Sequence, residues 1–169
     1  MNLALSLLRT AAADPSRPAV AVGADVVLDY GSLRERVARL AGGLRRRLGL
    51  AVGDRVAIAA ANGPHYVEAL YAVWHAGLTA VPINAKLHPR EIAFILGDSG
   101  ARLCLASAGL AAQVAALDAP PAAVERFLVL GDADYEGLMA AEAPAPEPRG
   151  PDDVAWLFYT SGTTGRPRG

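Results

Sequence analysis

The apolar positions of this chain switch repeatedly between a helical period and a strand period, and the switches mark out its elements. Residues 2–13 carry apolar positions at helical spacing and end at Asp14-Pro15, so a helix is predicted there. Residues 19–22 and 26–30 are β-rich and separated by Gly23-Ala24-Asp25, the pattern of a hairpin. Leu33, Val37, Leu40, Leu44 and Leu48 then recur at helical spacing up to Gly49, and Ser32 with Glu35 has the form of a capping box. Arg45, Arg46 and Arg47 fall in the last turn. They read as a solvated helix end, where cations suit the dipole, with an anion site as the rival reading.

From there strands and helices alternate. Strands are predicted over 54–60, 79–83, 102–106 and 127–130. Between and after them fall helices over 64–76, 89–96, 110–117 and 135–141. Pro64 is suited to a first helical position, and His88 to an N-cap. Gly77 and Gly97 are the expected helix stops. Such alternation with short connections predicts an α/β fold, a largely parallel sheet flanked by helices, preceded by the N-terminal β-hairpin. Residues 143–152 are rich in proline, alanine and charge and read as an exposed linker. Residues 153–159 return to strand character and lead into a polar loop. The expected organisation is therefore an α/β unit over 1–142, a linker over 143–152, and a strand plus loop over 153–169.

At 169 residues the chain is long enough for one domain with a substantial core, burying roughly 70% of its unfolded surface. A net charge of −1 does not favour nucleic acid as a partner. Cys104 is the only cysteine, so no internal disulfide can form, and its apolar setting reads as a buried thiol. Residues 1–8 do not have the form of a signal peptide. The least polar long stretch, 67–83, is interrupted by Glu68, His75, Gly77 and Pro82, so no transmembrane segment is predicted. A cytoplasmic protein is expected.

The densest chemistry lies at Tyr159-Thr160-Ser161-Gly162-Thr163-Thr164-Gly165-Arg166-Pro167-Arg168-Gly169. Its glycines let backbone approach an anion closely. Hydroxyls and converging N–H groups can grip one oxygen cluster, and two guanidinium groups add fixed charge. The spacing fits neither G-x-x-x-x-G-K-S/T nor G-x-G-x-x-G. A serine- and threonine-rich tail without a site is the bland alternative.

This ordered string resembles the phosphate-loop signature of the AMP-forming adenylating enzymes, Y-T-S-G-T-T-G-x-P-K-G. Ten of its eleven positions accord, and Arg168 stands where lysine is usual. Leu50–Val56 is similar to "G-V-x-x-G-D-R-V" and Asn62–Tyr66 to "N-S-x-E-Y/F". Ala76-Gly77 with Val81–Asn84 resembles "A-G-x-x-x-V-P-x-N", and Ile95–Ala101 resembles "I-L-x-D-S-G-A". The style is closest to acyl- or aryl-CoA ligases. The resemblance implies the N-terminal portion of the large adenylation domain.

What the resemblance implies is a two-step reaction: a carboxylate attacks the α-phosphate of ATP, then coenzyme A takes the acyl group. Thr160, Ser161, Gly162, Thr163, Thr164 and Gly165, with Arg168, are the expected ATP-phosphate contacts. Arginine keeps the charge of lysine but changes reach and donor geometry. Mg2+ would bridge the phosphates, its protein ligand coming from a later family motif. The nucleotide pocket, most of the acyl pocket and the catalytic lysine also belong to later motifs. No catalytic or metal-ligating residue is therefore assigned here, and the chain alone is expected to be inactive. Partners would be a small carboxylic acid, ATP and CoA, with a homodimer possible. Two alternatives stand beside this reading: a non-catalytic nucleotide- or partner-binding module, and an adenylation domain serving a carrier protein. Lys86 matches no catalytic position of the family. His65, His75 and His88 read as structural, His65, which borders a turn, being the one candidate among them for touching ligand. Tyr71 and Trp74 read as core.

Overall fold

The structure, a computed structural model, describes residues 1–117, 124–161 and 167–169. Helix α1 (Leu5–Ala13) opens the chain, and the hairpin β1 (Pro18–Val22) and β2 (Asp25–Asp29) turns at Gly23, whose φ of 62° suits glycine. Helix α2 (Tyr30–Gly42) begins three residues earlier than its capping box predicts. Asp29 is the N-cap, its carboxylate accepting from the Ser32 N–H at 2.7 Å. Glu35 instead pairs with Arg39 one turn on.

Four parallel strands follow: β3 (Arg55–Ala60), β4 (Thr79–Asn84), β5 (Leu103–Ala106) and β6 (Arg126–Val129), in the order β4-β3-β5-β6. The connections are α3 (Pro64–His75), α4 (Pro89–Ser99) and α5 (Ala108–Ala115), and α6 (Ala133–Leu138) follows β6. Pro64 does open α3. His88 caps α4 as expected, with Glu91 completing the box. α4 runs through Gly97 and stops at Gly100, which takes the left-handed conformation.

Alternation within the strands splits the core into two layers. Val56, Ile58, Leu103 and Leu105 face α2, α3 and α6, whereas Ala57, Ala59, Cys104 and Ala106 face α4 and α5. Both faces are covered, which is why these strands read as nearly continuous apolar runs.

Two glycines at the end of α2 set how closely the chain packs. A Cβ on Gly42 would lie 2.2 Å from the Glu142 carbonyl oxygen, and one on Gly43 would lie 2.5 Å from that of Leu138. The helix ends in a π-turn over Gly43–Arg47. Arg46 and Arg47 are exposed, as a solvated helix end requires, but all three arginines also have partners. Arg45 donates to the Ala76 carbonyl and Arg47 to that of Gly137, while Arg46 pairs with Glu142. Each cation thus ties α2 to another element, two of them at the carbonyl-rich end of a helix.

Residues 143–152 alternate between exposed and half-buried and lie against the end of α3. The Glu147 N–H donates to the His75 carbonyl at 2.8 Å, and Asn2 Nδ2 donates to the carbonyls of Trp74 and Glu147. Gly77 makes room, since a Cβ there would lie 2.5 Å from Glu147 Cγ. Residues 154–157 then run beside β4 in parallel, joined by a single bridge between Ala80 and Trp156 where the sequence predicts a strand over 153–159. The Ala80 N–H donates to Ala155 O, and the Leu157 N–H donates to Ala80 O.

Candidate functional site

Along β4 the added segment is fastened by side chains from below. Thr79 Oγ1 donates to Val154 O and Trp74 Nε1 to Ala155 O. The Trp74 and Trp156 rings meet edge to face at 5.1 Å. Trp74 is buried, in keeping with a core role. This attachment delivers Tyr159 and then the short antiparallel pair β7 (Thr160–Ser161) and β8 (Pro167–Arg168). Thr160 pairs with Arg168 and Ser161 with Pro167, so the two ends of the signature form the stem of a hairpin. Of the expected phosphate contacts, Gly162, Thr163, Thr164 and Gly165 lie outside the described residues. Tyr159 donates to Asp98 Oδ2 at 2.5 Å, and burial and then that bond push its phenol up to about 12.

Beside the stem lies an open cleft of about 500 Å³ at the carboxyl ends of β3 and β4. Its position follows from topology. β3 leads into α3 on one face of the sheet, and β4 leads into α4 on the other, so the two connections part and leave a crevice. Asn62, Tyr66, Asn84, Lys86, Phe158 and Tyr159 line it. Two amides, two phenols and one ammonium give it both donors and acceptors, and the aromatic rings give it apolar walls. Burial raises the Tyr66 phenol. Sequence reasoning did not single out Asn62, Tyr66, Asn84 or Lys86 as sharing a site. The available signal was their place just past two predicted strands, where α/β sheets bind ligands.

Away from the cleft, Glu68 is buried in α3 and accepts three hydrogen bonds from two residues. Arg36 Nε donates to one carboxylate oxygen, and Tyr135 OH (at 2.6 Å) and Arg36 Nη2 donate to the other. Arg36 also reaches Glu136 at 2.7 Å. His65, Glu68 and Glu136 are close enough to hold a cation among the described residues. The Arg36 guanidinium already fills that role, so the residues do not fit a magnesium ion. His65 stacks edge-on against Tyr135 at 5.8 Å. His75 is buried, with Nε2 donating to Pro144 O and Nδ1 without a partner; burial lowers its pKa. Cys104 is buried, and its thiol is pushed up to about 12 by that burial.

A parallel sheet covered by helices on both faces, with a crevice at the carboxyl ends of two strands, defines an α/β protein of the open-sheet class. The profile of the AMP-binding enzyme family matches residues 7–169, and the chain belongs to that family. It is 41% identical over 162 residues to feruloyl-CoA synthase of Amycolatopsis sp, covering 96% of this chain and 31% of that protein. It is 35% identical over 173 residues to the long-chain-fatty-acid–CoA ligase FadD13 of Mycobacterium tuberculosis, covering 99% and 34%. The inhibitor-bound N-terminal domain of FACL13 from M. tuberculosis superposes with a TM-score of 0.88 at 34% identity, covering 99% of this chain and 43% of that one. ATP-bound MatB from Rhodopseudomonas palustris gives a TM-score of 0.84 at 29% identity, covering 99% and 34%. The chain thus spans about a third of the length of the curated relatives it matches. Among the described residues no helix is long and apolar enough to cross a membrane.

Proposed function

We propose that this chain is the N-terminal part of an ATP-dependent, AMP-forming carboxylate–CoA ligase of the cytoplasm. In this reading a carboxylate attacks the α-phosphate of ATP, pyrophosphate leaves, and the acyl-adenylate passes its acyl group to coenzyme A. The carrying observation is the hairpin stem at Thr160–Ser161 and Pro167–Arg168, which brings the two ends of the phosphate-loop signature together. Charge develops on the leaving pyrophosphate, and fixed N–H and hydroxyl donors stabilise it without reorganising. Thr160, Ser161, Gly162, Thr163, Thr164, Gly165 and Arg168 take that role in our reading. The magnesium that bridges the phosphates takes its protein ligand from outside this chain. The relatives include aryl-CoA and long-chain-acyl-CoA ligases, so we assign an organic carboxylic acid of either kind as substrate.

The test is carboxylate-dependent exchange of pyrophosphate into ATP, run on a protein of the relatives' full length beginning with this sequence and on residues 1–169 alone. Exchange is expected only from the longer protein. No exchange there with aryl, long-chain or dicarboxylic acids sinks the ligase reading, and exchange by the short chain sinks the view that it is inactive. A second reading has support from a fatty acid–[acyl-carrier-protein] ligase of Streptomyces coeruleorubidus, 35% identical over 158 residues. There a carrier protein replaces coenzyme A as the acceptor, and supplying each thiol to the adenylate distinguishes the two.

A further inference from the structure

We propose that Asp98 is a positioning residue for the phosphate-loop stem, acting through the hydrogen bond it accepts from Tyr159. The role of the stem rests on the ligase reading above, whereas the anchoring itself does not.

Among the described residues the ladder of the stem has two residue pairs, and one of them contains Pro167, which has no N–H to give. Isolated two-stranded hairpins are marginal in water, so an outside anchor decides whether this one keeps its register. Tyr159 provides it at both ends. It precedes Thr160 directly, and Gly169, which follows Arg168, packs against its ring. A Cβ on Gly169 would come within 2.8 Å of Cζ and 3.0 Å of Cε2. One phenol ring thus closes the base of the hairpin. Its hydroxyl is then tied to Asp98, 61 residues away in sequence.

The far end of the tie is rigid. Asp98 sits in the last turn of α4, next to Ser99, whose carbonyl accepts from Arg55 of β3 at 2.6 Å. Ser99 is fully buried, and Gly100 closes the helix in the left-handed conformation. A carboxylate in the last turn opposes the helix dipole, so Asp98 does not serve the helix that carries it. What it does make is the bond to Tyr159. That links the stem through α4 and Arg55 to the central strand of the sheet.

The experiment compares wild-type residues 1–169 with Asp98→Ala, Asp98→Asn and Tyr159→Phe. Amide hydrogen exchange is read at Thr160, Ser161 and Arg168, and the Tyr159 phenol is titrated by NMR. In Asp98→Ala and Tyr159→Phe the stem amides should exchange roughly tenfold faster, the loss expected for one hydrogen bond to a charged acceptor. Asp98→Asn, which keeps an acceptor oxygen, should restore most of the protection. In Asp98→Ala the phenol should titrate below its wild-type value of about 12. Stem exchange in Tyr159→Phe equal to wild type overturns the proposal and leaves ring packing as the anchor. Calorimetry with magnesium pyrophosphate is the separate arm. If wild type fails to bind while the stem amides respond as expected, the phosphate reading of the loop falls and the anchor stands.

Discussion

Tyr135 donates its hydroxyl hydrogen to Glu68 at 2.6 Å in the buried layer between α3 and α6, and both residues are almost wholly sequestered from water. Arg36 bonds both oxygens of Glu68, and the same arginine reaches on to Glu136. Three helices are thereby joined through one carboxylate. The carboxylate raises the Arg36 guanidinium, while burial and then Glu68 raise the Tyr135 phenol.

Removing members of this network should cost unequally. Tyr135→Phe deletes one donor and leaves the ion pair, so a loss of about 1–2 kcal/mol is expected. Glu68→Ala leaves the buried Tyr135 hydroxyl without an acceptor and Arg36 with Glu136 alone, and should cost about 3 kcal/mol. Urea unfolding of the two variants gives the comparison, and equal losses would mean that the ion pair adds nothing beyond packing.

Gly42→Ala separates helix propensity from packing. Alanine is favoured over glycine by about 1 kcal/mol inside a helix. Here its methyl would meet the Glu142 carbonyl at 2.2 Å, and overpacking of that kind costs typically 1–3 kcal/mol. A lower thermal midpoint is expected, and a rise would show that the 138–142 segment is free to move away.

His75 should make stability fall in mild acid. Its folded-state pKa lies below the usual imidazole value of 6.5, because burial disfavours the cation more than the bond to Pro144 supports it. The unfolded chain therefore binds a proton first. Stability from this residue is complete above about pH 6.5 and declines as pH drops through that value toward the folded pKa. Thermal midpoints measured between pH 7.5 and 5 should slope accordingly, and His75→Gln should flatten the slope.

Cys104 should be inert while the protein is folded. Only the thiolate attacks a disulfide reagent, and burial holds this thiol near 12. Titration with an aromatic disulfide should find no fast-reacting thiol in native protein and one after denaturation. Rapid native reaction would contradict the packing of the α4–α5 face.

In the ligase proposed above, Arg168→Ala should slow pyrophosphate exchange by roughly tenfold or more, the worth of a charged contact to phosphate. Arg168→Lys should be far milder, since it places the family's usual residue there. Equal effects would remove Arg168 from the phosphate contacts.

Much of the fold was legible because its elements obey local rules. Pro64 opens α3, His88 caps α4, and the alternation of strands and helices predicts the parallel sheet. Errors fell where two local signals compete or where a partner is distant. Asp29 outcompetes Ser32 as the cap of α2, and Gly97 is carried through α4 because Gly100 offers a better stop. Nothing near Arg45, Arg46 and Arg47 announces that their acceptors lie on α3, α6 and the segment after it.

By itself the sequence determined the family and the order of elements, since both reside in runs of adjacent residues whose periods and turn chemistry are read locally. Only the tertiary structure decided that Asn62, Tyr66, Asn84 and Lys86 share a cleft with Phe158, and that Asp98 meets Tyr159. Those meetings depend on which face of the sheet each connection takes and on how strands order in space. They are set by burial across the whole core rather than by any stretch of chain.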